Sequence, residues 1–273
     1  MSLRVALLQL RTPATHGEAL AHVGPLIRQA AAKGAALIAT PEGTNVLQRD
    51  RALLLPILAL EAEDAVVVGV QALAAELNVS VLIGSALLRR EDGRAANRSL
   101  LVGPDGMVLA RYDKVHLFDV DLPTGERVRE SAAYAPGEQA VVARPPWGGL
   151  GLTICYDMRF PHLYRDLARA GADVIAVPSA FTRLTGEAHW RVLLRARAIE
   201  TGAFVLAPAQ GGSHADGRGT WGRSMVVGPW GEVLAEADHD EPCVLTADLD
   251  LAAVARARTA IPALTHDRAY AQP

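Results

Sequence analysis

Gly103-Pro-Asp-Gly-Met-Val-Leu-Ala110 returns later in the chain as Gly228-Pro-Trp-Gly-Glu-Val-Leu-Ala235, with six of eight positions identical. Pro and Gly are what a tight turn needs, so turn chemistry alone could produce this match. The segments around it repeat as well. Leu37-Ile-Ala-Thr-Pro41 is answered by Val174-Ile-Ala-Val-Pro178. Duplication accounts for the whole pattern better than a shared turn does.

Periodicity fills in the rest. The first half reads as a strand over 5–10, a helix over 17–33, a strand over 35–40, a helix over 64–77 and a strand over 79–84. Strands near 98–102 and 107–111 then flank the Gly103–Gly106 turn. The second half follows the same order: strand 149–155, helix 161–170, strand 173–177, helix 187–200, strand 203–207 and the second hairpin. Two β-α-β-α-β-β pseudo-repeats, each with one bare sheet face, bury those faces best against each other. The expected fold is therefore α/β, a four-layer α-β-β-α sandwich. No low-complexity linker separates the halves, so one domain is expected over residues 1–273. Ligands gather at the carboxyl ends of strands in such sheets. Glu42 ends the second strand, Lys114 follows the last strand of the first half, and Cys155 ends the first strand of the second half.

The cysteine lies in Leu150-Gly-Leu-Thr-Ile-Cys155-Tyr-Asp-Met-Arg-Phe-Pro161, where Pro161 suits the first position of a helix. A thiol at a strand-to-helix elbow sits among free backbone N–H groups, which favour the thiolate and a developing oxyanion. Buried strand cysteines are also commonly inert, and this segment alone is compatible with both. Cys243, in Pro242-Cys-Val-Leu-Thr-Ala-Asp248's apolar run, reads as core.

A net charge of −3 argues against a nucleic-acid or acidic-membrane partner. No uncharged run is long enough to span a bilayer, the first residues lack a signal-peptide layout, and two cysteines suit a reducing compartment. A cytoplasmic protein is expected. Lys33 and Lys114 are the only lysines among 27 basic side chains. Lys33 reads as an ordinary C-terminal helix lysine. Lys114 stands where a compact ammonium could do what a guanidinium cannot. The histidines show no metal-ligand spacing, so no metal is expected, and GxGxxG and Walker patterns are absent. A papain-like Cys–His pair is left open by spacing but has no local signature.

Cysteine, glutamate and lysine at strand ends suggest thiol acyl transfer without a histidine base. Glu42, with a raised pKa in a dry pocket, would take the thiol proton. Cys155 would attack a carbonyl carbon, and Lys114 with the Tyr156 N–H would hold the oxyanion. Water would then split the thioester, with no metal or organic cofactor. Taken singly, Glu42 and Lys114 also fit solvated surface positions, and Glu130 a loop ion pair.

Pro-Glu-Gly at 41–43, Tyr-Asp-Lys-Val-His-Leu-Phe at 112–118 and Cys-Tyr-Asp-Met-Arg-Phe-Pro at 155–161 resemble the motifs of the nitrilase superfamily of carbon–nitrogen hydrolases, in its Nit branch. The resemblance runs from Val5 to about Tyr270. It implies a Glu42–Lys114–Cys155 triad, a second glutamate at Glu130, the α-β-β-α fold and a homodimer. It also implies a linear-amide substrate of the α-keto acid type, cleaved to a carboxylate and ammonia. Ala209–His214 looks closer to the deaminated-glutathione amidases than to the ω-amidases that act on α-ketoglutaramate. The same superfamily includes N-carbamoyl amino acid hydrolases, and a non-catalytic scaffold of this fold is a further alternative. Arg159, four residues past Cys155, is the candidate for a substrate carboxylate because a planar fork matches it bidentately, with an ion pair to Asp157 as its structural alternative. On the resemblance Phe181 and Thr185 would line the pocket, and Ala180 would offer a carbonyl to the amide nitrogen. His162, Gly228 and Arg223 depart from residues common in the branch.

Overall fold

The computed structural model describes residues 2–123, 125 and 127–271. The first half forms strands β1 (Ser2–Gln9), β2 (Leu37–Ala39), β3 (Ser80–Arg89), β4 (Ala95–Val102) and β5 (Val108–Asp113), with helices α1 (His16–Ala32) and α2 (Ala65–Leu77). The second half begins at β6 (Val141–Ala143) and continues through β7 (Leu150–Leu152), β8 (Val174–Ala176), β9 (Phe204–Ala207), β10 (Met225–Val227) and β11 (Val233–Glu236). Its helices are α3 (Pro161–Arg169) and α4 (Arg183–Thr201), and β12 (Cys243–Asp250) and α5 (Ala252–Ala260) follow.

These strands make two six-stranded sheets of one design. The first is ordered β12-β1-β2-β3-β4-β5 and the second β11-β10-β9-β8-β7-β6. In each, the first three repeat strands are parallel and the hairpin strands antiparallel. Each sheet also gains an antiparallel strand beside its first repeat strand, β12 on β1 and β6 on β7, which the repeat alone does not contain.

Burial on both faces explains the unbroken apolar runs. Val5 and Leu7 of β1 join the core shared with Leu150, Leu152 and Val205 of the other sheet. Ala6 and Leu8, pointing the other way, pack with Val23 and Ile27 of α1 and Val66 and Val70 of α2. The order helices, sheet, sheet, helices is the expected sandwich. Helix starts follow their caps: Thr15, Asp64 and Thr182 each accept a first-turn backbone N–H.

Three readings needed correction. Helix α4 begins at Arg183 rather than 187, capped by Thr182 and with Gly186 inside it. A Cβ there would lie 2.3 Å from Trp221 Cγ, so the indole is accommodated only by glycine. Strand β3 runs past Gly84 to Arg89, with a bulge between Ile83 and Ala86. Cys243 is half-buried on the outer strand β12, opposite Gln9, and not in the core.

Candidate active site

Each chemical side chain sits on a turn leaving a sheet. The 41–43 turn after β2 is anchored by Gly43 N–H donating to Ser85 Oγ (3.0 Å) and Gln210 Nε2 donating to the Glu42 carbonyl (3.0 Å). Lys114 is the first residue past β5, and its N–H donates to Asn97 O (2.9 Å). Glu130 opens a single 3₁₀ turn, 130–132, after a small hairpin of 119–121 with 127–129. Cys155 opens the 3₁₀ turn Cys155–Arg159 and adopts φ +48°, rare for a residue with a Cβ. Its N–H donates to Pro178 O (2.9 Å), which ties the strained elbow to the end of β8.

These turns converge on one buried charge cluster. Lys114 Nζ donates to Glu42 Oε1 (2.9 Å) and to both oxygens of Glu130 (3.1 and 2.9 Å). Glu42 Oε2 accepts the Ala180 N–H (2.9 Å), and the Cys155 thiol is hydrogen-bonded to the Glu42 carboxylate. Glu130 Oε2 also accepts the Phe118 N–H (2.6 Å). Glu42, Lys114 and Cys155 are 8 %, 3 % and 8 % exposed, so these are not solvated turn residues.

The protonation states follow from this packing. Burial pushes the Glu42 carboxyl up, but the Lys114 charge and the hydrogen bonds from Lys114, Cys155 and Asn97 outweigh it and hold it below the usual carboxylate range. The expected raised pKa is therefore overturned, because Lys114 touches the carboxylate directly. Burial pushes the Cys155 thiol well up, and the Glu42 charge adds to this against Lys114. The elbow thus does not hold a ready thiolate, as its sequence suggested. Burial acts to discharge Lys114, yet Glu130 and Glu42 prevail and keep it an ammonium. The resting arrangement is a neutral thiol donating to a carboxylate, beside a permanent cation. Such a carboxylate can take the thiol proton as the sulfur attacks.

All nine residues expected at the site line one cleft of about 540 Å³. Cys155, Glu42, Lys114 and Glu130 stand with Tyr156 and Ala180, and Arg159, Phe181 and Thr185 line the same walls. Arg159 is not the ion-pair partner of Asp157. Its guanidinium lies 5.9 Å from the Tyr156 ring centre and 5.6 Å from that of Phe181, with His189 Nδ1 at 3.2 Å. Asp157 is instead fully buried and saturated by other donors. Its Oδ1 accepts from the His116 N–H (3.0 Å) and meets His116 Nδ1 (2.7 Å), while Oδ2 accepts from Tyr112 Oη (2.7 Å) and the Ile154 N–H (2.8 Å). Burial and the Asp157 charge keep the Tyr112 hydroxyl protonated, so it can donate. Asp157 thereby clamps the lysine loop, 112–116, onto the cysteine turn.

Asn97 escaped the sequence reading. Its Nδ2 donates to Glu42 Oε1 (2.9 Å) and Glu130 Oε1 (3.2 Å), bridging the two carboxylates. Pairing of Arg98 with Asp113 brings the neighbouring Asn97 beside Lys114. That register was the available signal, but the expected strand starts at 98, three residues past its observed start at Ala95.

The fold and this cluster define a thiol-bearing α-β-β-α hydrolase. Residues 4–259 match the carbon–nitrogen hydrolase family, and the chain belongs to it. It is 40% identical over 265 residues to a deaminated glutathione amidase of Synechocystis sp., spanning 96% of each chain. It is 34% identical over 267 residues to the human omega-amidase NIT2, covering 98% of this chain and 95% of that one. Among solved structures it is similar to the amidase from Nesterenkonia sp. AN1 (TM-score 0.78, 28% identity, 95% of this chain and 98% of that one), whose mutant shows Michael addition of acrylamide at the active-site cysteine. The chain is a hydrolytic amidase of this family.

Proposed function

We propose that the chain hydrolyses a linear amide of an α-keto acid through a thioester on Cys155. The observation that carries this is the buried contact of Cys155, Glu42 and Lys114, with Glu130 fixing the lysine from its other side.

Glu42 takes the thiol proton as sulfur bonds to the amide carbon, and the carbonyl electrons move onto oxygen. The Lys114 ammonium and the Tyr156 N–H hold that oxyanion. As the C–N bond breaks, Glu42 returns the proton to nitrogen and the amine leaves. Glu42 next deprotonates a water that attacks the thioester, and collapse releases a carboxylic acid and restores the thiol. Glu130 and Asn97 act by positioning Lys114 and Glu42. Ala180 takes part through its N–H to Glu42, and Phe181 and Thr185 shape the acyl pocket. Arg159 receives the keto acid's carboxylate, since a planar guanidinium suits it.

Deaminated glutathione is the preferred substrate in this reading. Support comes from the deaminated glutathione amidase relative and from the Ala209–His214 stretch. The nitrogen leaves as ammonia from a primary amide, and as the amine of cysteinylglycine from deaminated glutathione. We further infer a homodimer of one-domain subunits working in the cytoplasm without a cofactor. Among the described residues no helix is long and apolar enough to cross a membrane.

The test is keto acid release from deaminated glutathione and α-ketoglutaramate in parallel, with Cys155→Ala as control. Preference for the first, abolished in a folded Cys155→Ala, is the expected result. Preference for α-ketoglutaramate would make the chain an ω-amidase. Turnover persisting without the thiol would overturn the mechanism.

A further inference from the structure

The cleft is far more basic than the protein around it. The chain carries a net charge of −3, yet among the described residues seven arginines and Lys114 line this cavity against two carboxylates. Both carboxylates, Glu42 and Glu130, are already bound by Lys114. Four of the seven are paired with carboxylates, Arg127 with Asp121 (3.4 Å) among them. Asp121 grips Arg129 (2.8 and 2.9 Å), Asp240 holds Arg183 (3.0 Å) and Asp216 holds Arg218 (2.7 Å).

Arg51 and Arg159 differ. Neither has a carboxylate partner among the described residues. Arg159 is half-buried, four residues past the nucleophile on the same turn, between aromatic rings. Arg51 is exposed at the start of the short helix Arg51–Leu54 and donates to the carbonyl of Arg129, at the end of the 119–129 hairpin. One uncompensated cation therefore lies on the cysteine turn and the other where two surface elements meet along the cleft wall.

We propose that Arg51 marks a second carboxylate site, on the leaving-group side of the cleft. It receives the terminal carboxylate of a peptide-like amine, while Arg159 receives the carboxylate of the acyl part. The enzyme then selects amides with a carboxylate on each side of the scissile bond over short amides with one. A cleft of about 540 Å³ falls within the size range of small-molecule sites and leaves room beyond the acyl pocket. This inference rests on the keto acid amidase reading and adds the specificity for its departing half.

Three substrates test it: deaminated glutathione, the same molecule with its terminal glycine carboxylate amidated, and α-ketoglutaramate. Each is assayed with the wild-type protein and Arg51→Ala. Arg51→Ala should lower kcat/KM for deaminated glutathione roughly 10- to 100-fold, mainly through KM, the range for one charged hydrogen-bonded contact. Amidating the carboxylate should cost the wild-type protein a similar factor and the variant little more. Equal losses on all three substrates, or none, would overturn the site. If deaminated glutathione is cleaved but amidation costs nothing, the second site falls and the amidase reading stands. If the wild-type protein cleaves none of the three, the substrate reading fails and takes the second site with it.

Discussion

The two pseudo-repeats end their second strands in the same way and then diverge by one side chain. Thr40 N–H donates to Leu82 O (2.9 Å) and Val177 N–H to Leu206 O (2.7 Å), so each strand end is bonded to the next strand of its sheet. A proline follows in both halves. After it the first half places Glu42, whose carboxylate reaches Lys114 and the thiol. The second places Ser179, whose hydroxyl donates back to Val177 O (3.0 Å). Duplication set where a residue could enter the cleft, and the side chain set what it does there. The division of labour is uneven as a result. The first half contributes the fixed charges, Glu42, Lys114 and Glu130, and the second contributes a neutral thiol, Cys155, in the environment they make.

The sharpest way to break this division is Lys114→Arg, which keeps the charge and changes the shape. The guanidinium is too broad for a 3 %-exposed site already filled by two carboxylates and Asn97. Turnover should fall about 10²–10³-fold, the usual cost of an oxyanion donor, with the protein still folded. Near-normal steady-state rates would show that the lysine only neutralises its neighbours.

The contact between the halves is open to a second change. A Cβ on Gly84 would lie 1.8 Å from Thr40 O and 2.4 Å from Pro178 Cβ, where the two proline turns meet. Gly84→Ala must push the turns apart, and overpacking of this kind costs about 1–3 kcal/mol. Denaturant unfolding should show that loss. An unchanged midpoint would mean that the halves can slide without penalty.

The smallest expected effect is a flat pH profile. Glu42 is held below the usual carboxylate range, so its base form persists until the pH falls through that depressed value. Cys155 is pushed well above the usual thiol range, so it stays neutral until more alkaline pH. Because kcat/KM reports the free enzyme, it should change little between about 4.3 and 8.5, the ordinary carboxylate and thiol values. A bell centred inside that window would show that Lys114 does not hold Glu42 down, or that burial and Glu42 do not hold the thiol up.

Much of this was legible beforehand for a local reason. The hairpin repeat, the Pro41 and Pro178 strand ends and the apolar runs are short-range patterns, and they led to the sandwich and to one crevice. The strands that complete each sheet, β6 and β12, lie outside the repeat and had no such signal. The expected strand 79–84 and helix 187–200 stop at or beside Gly84 and Gly186, which lie inside longer elements. Here both record a close neighbour from a distant part of the chain, Pro178 and Trp221 respectively.

The sequence by itself determined the duplicated α-β-β-α architecture, the residues proposed as nucleophile and ionic partners, and the reaction class. These depend on periodicity and on residue type at strand ends, which need no coordinates. Only the tertiary structure decided the charge states. Sequence placed Glu42 in a dry pocket with a raised pKa, but a lysine 72 positions away lies 2.9 Å from its oxygen and reverses the shift. It also assigned Asp157 to Tyr112 and His116 rather than to Arg159, and left Arg159 for the cleft. Electrostatic energies depend on distance through space, and distance along the chain does not report it.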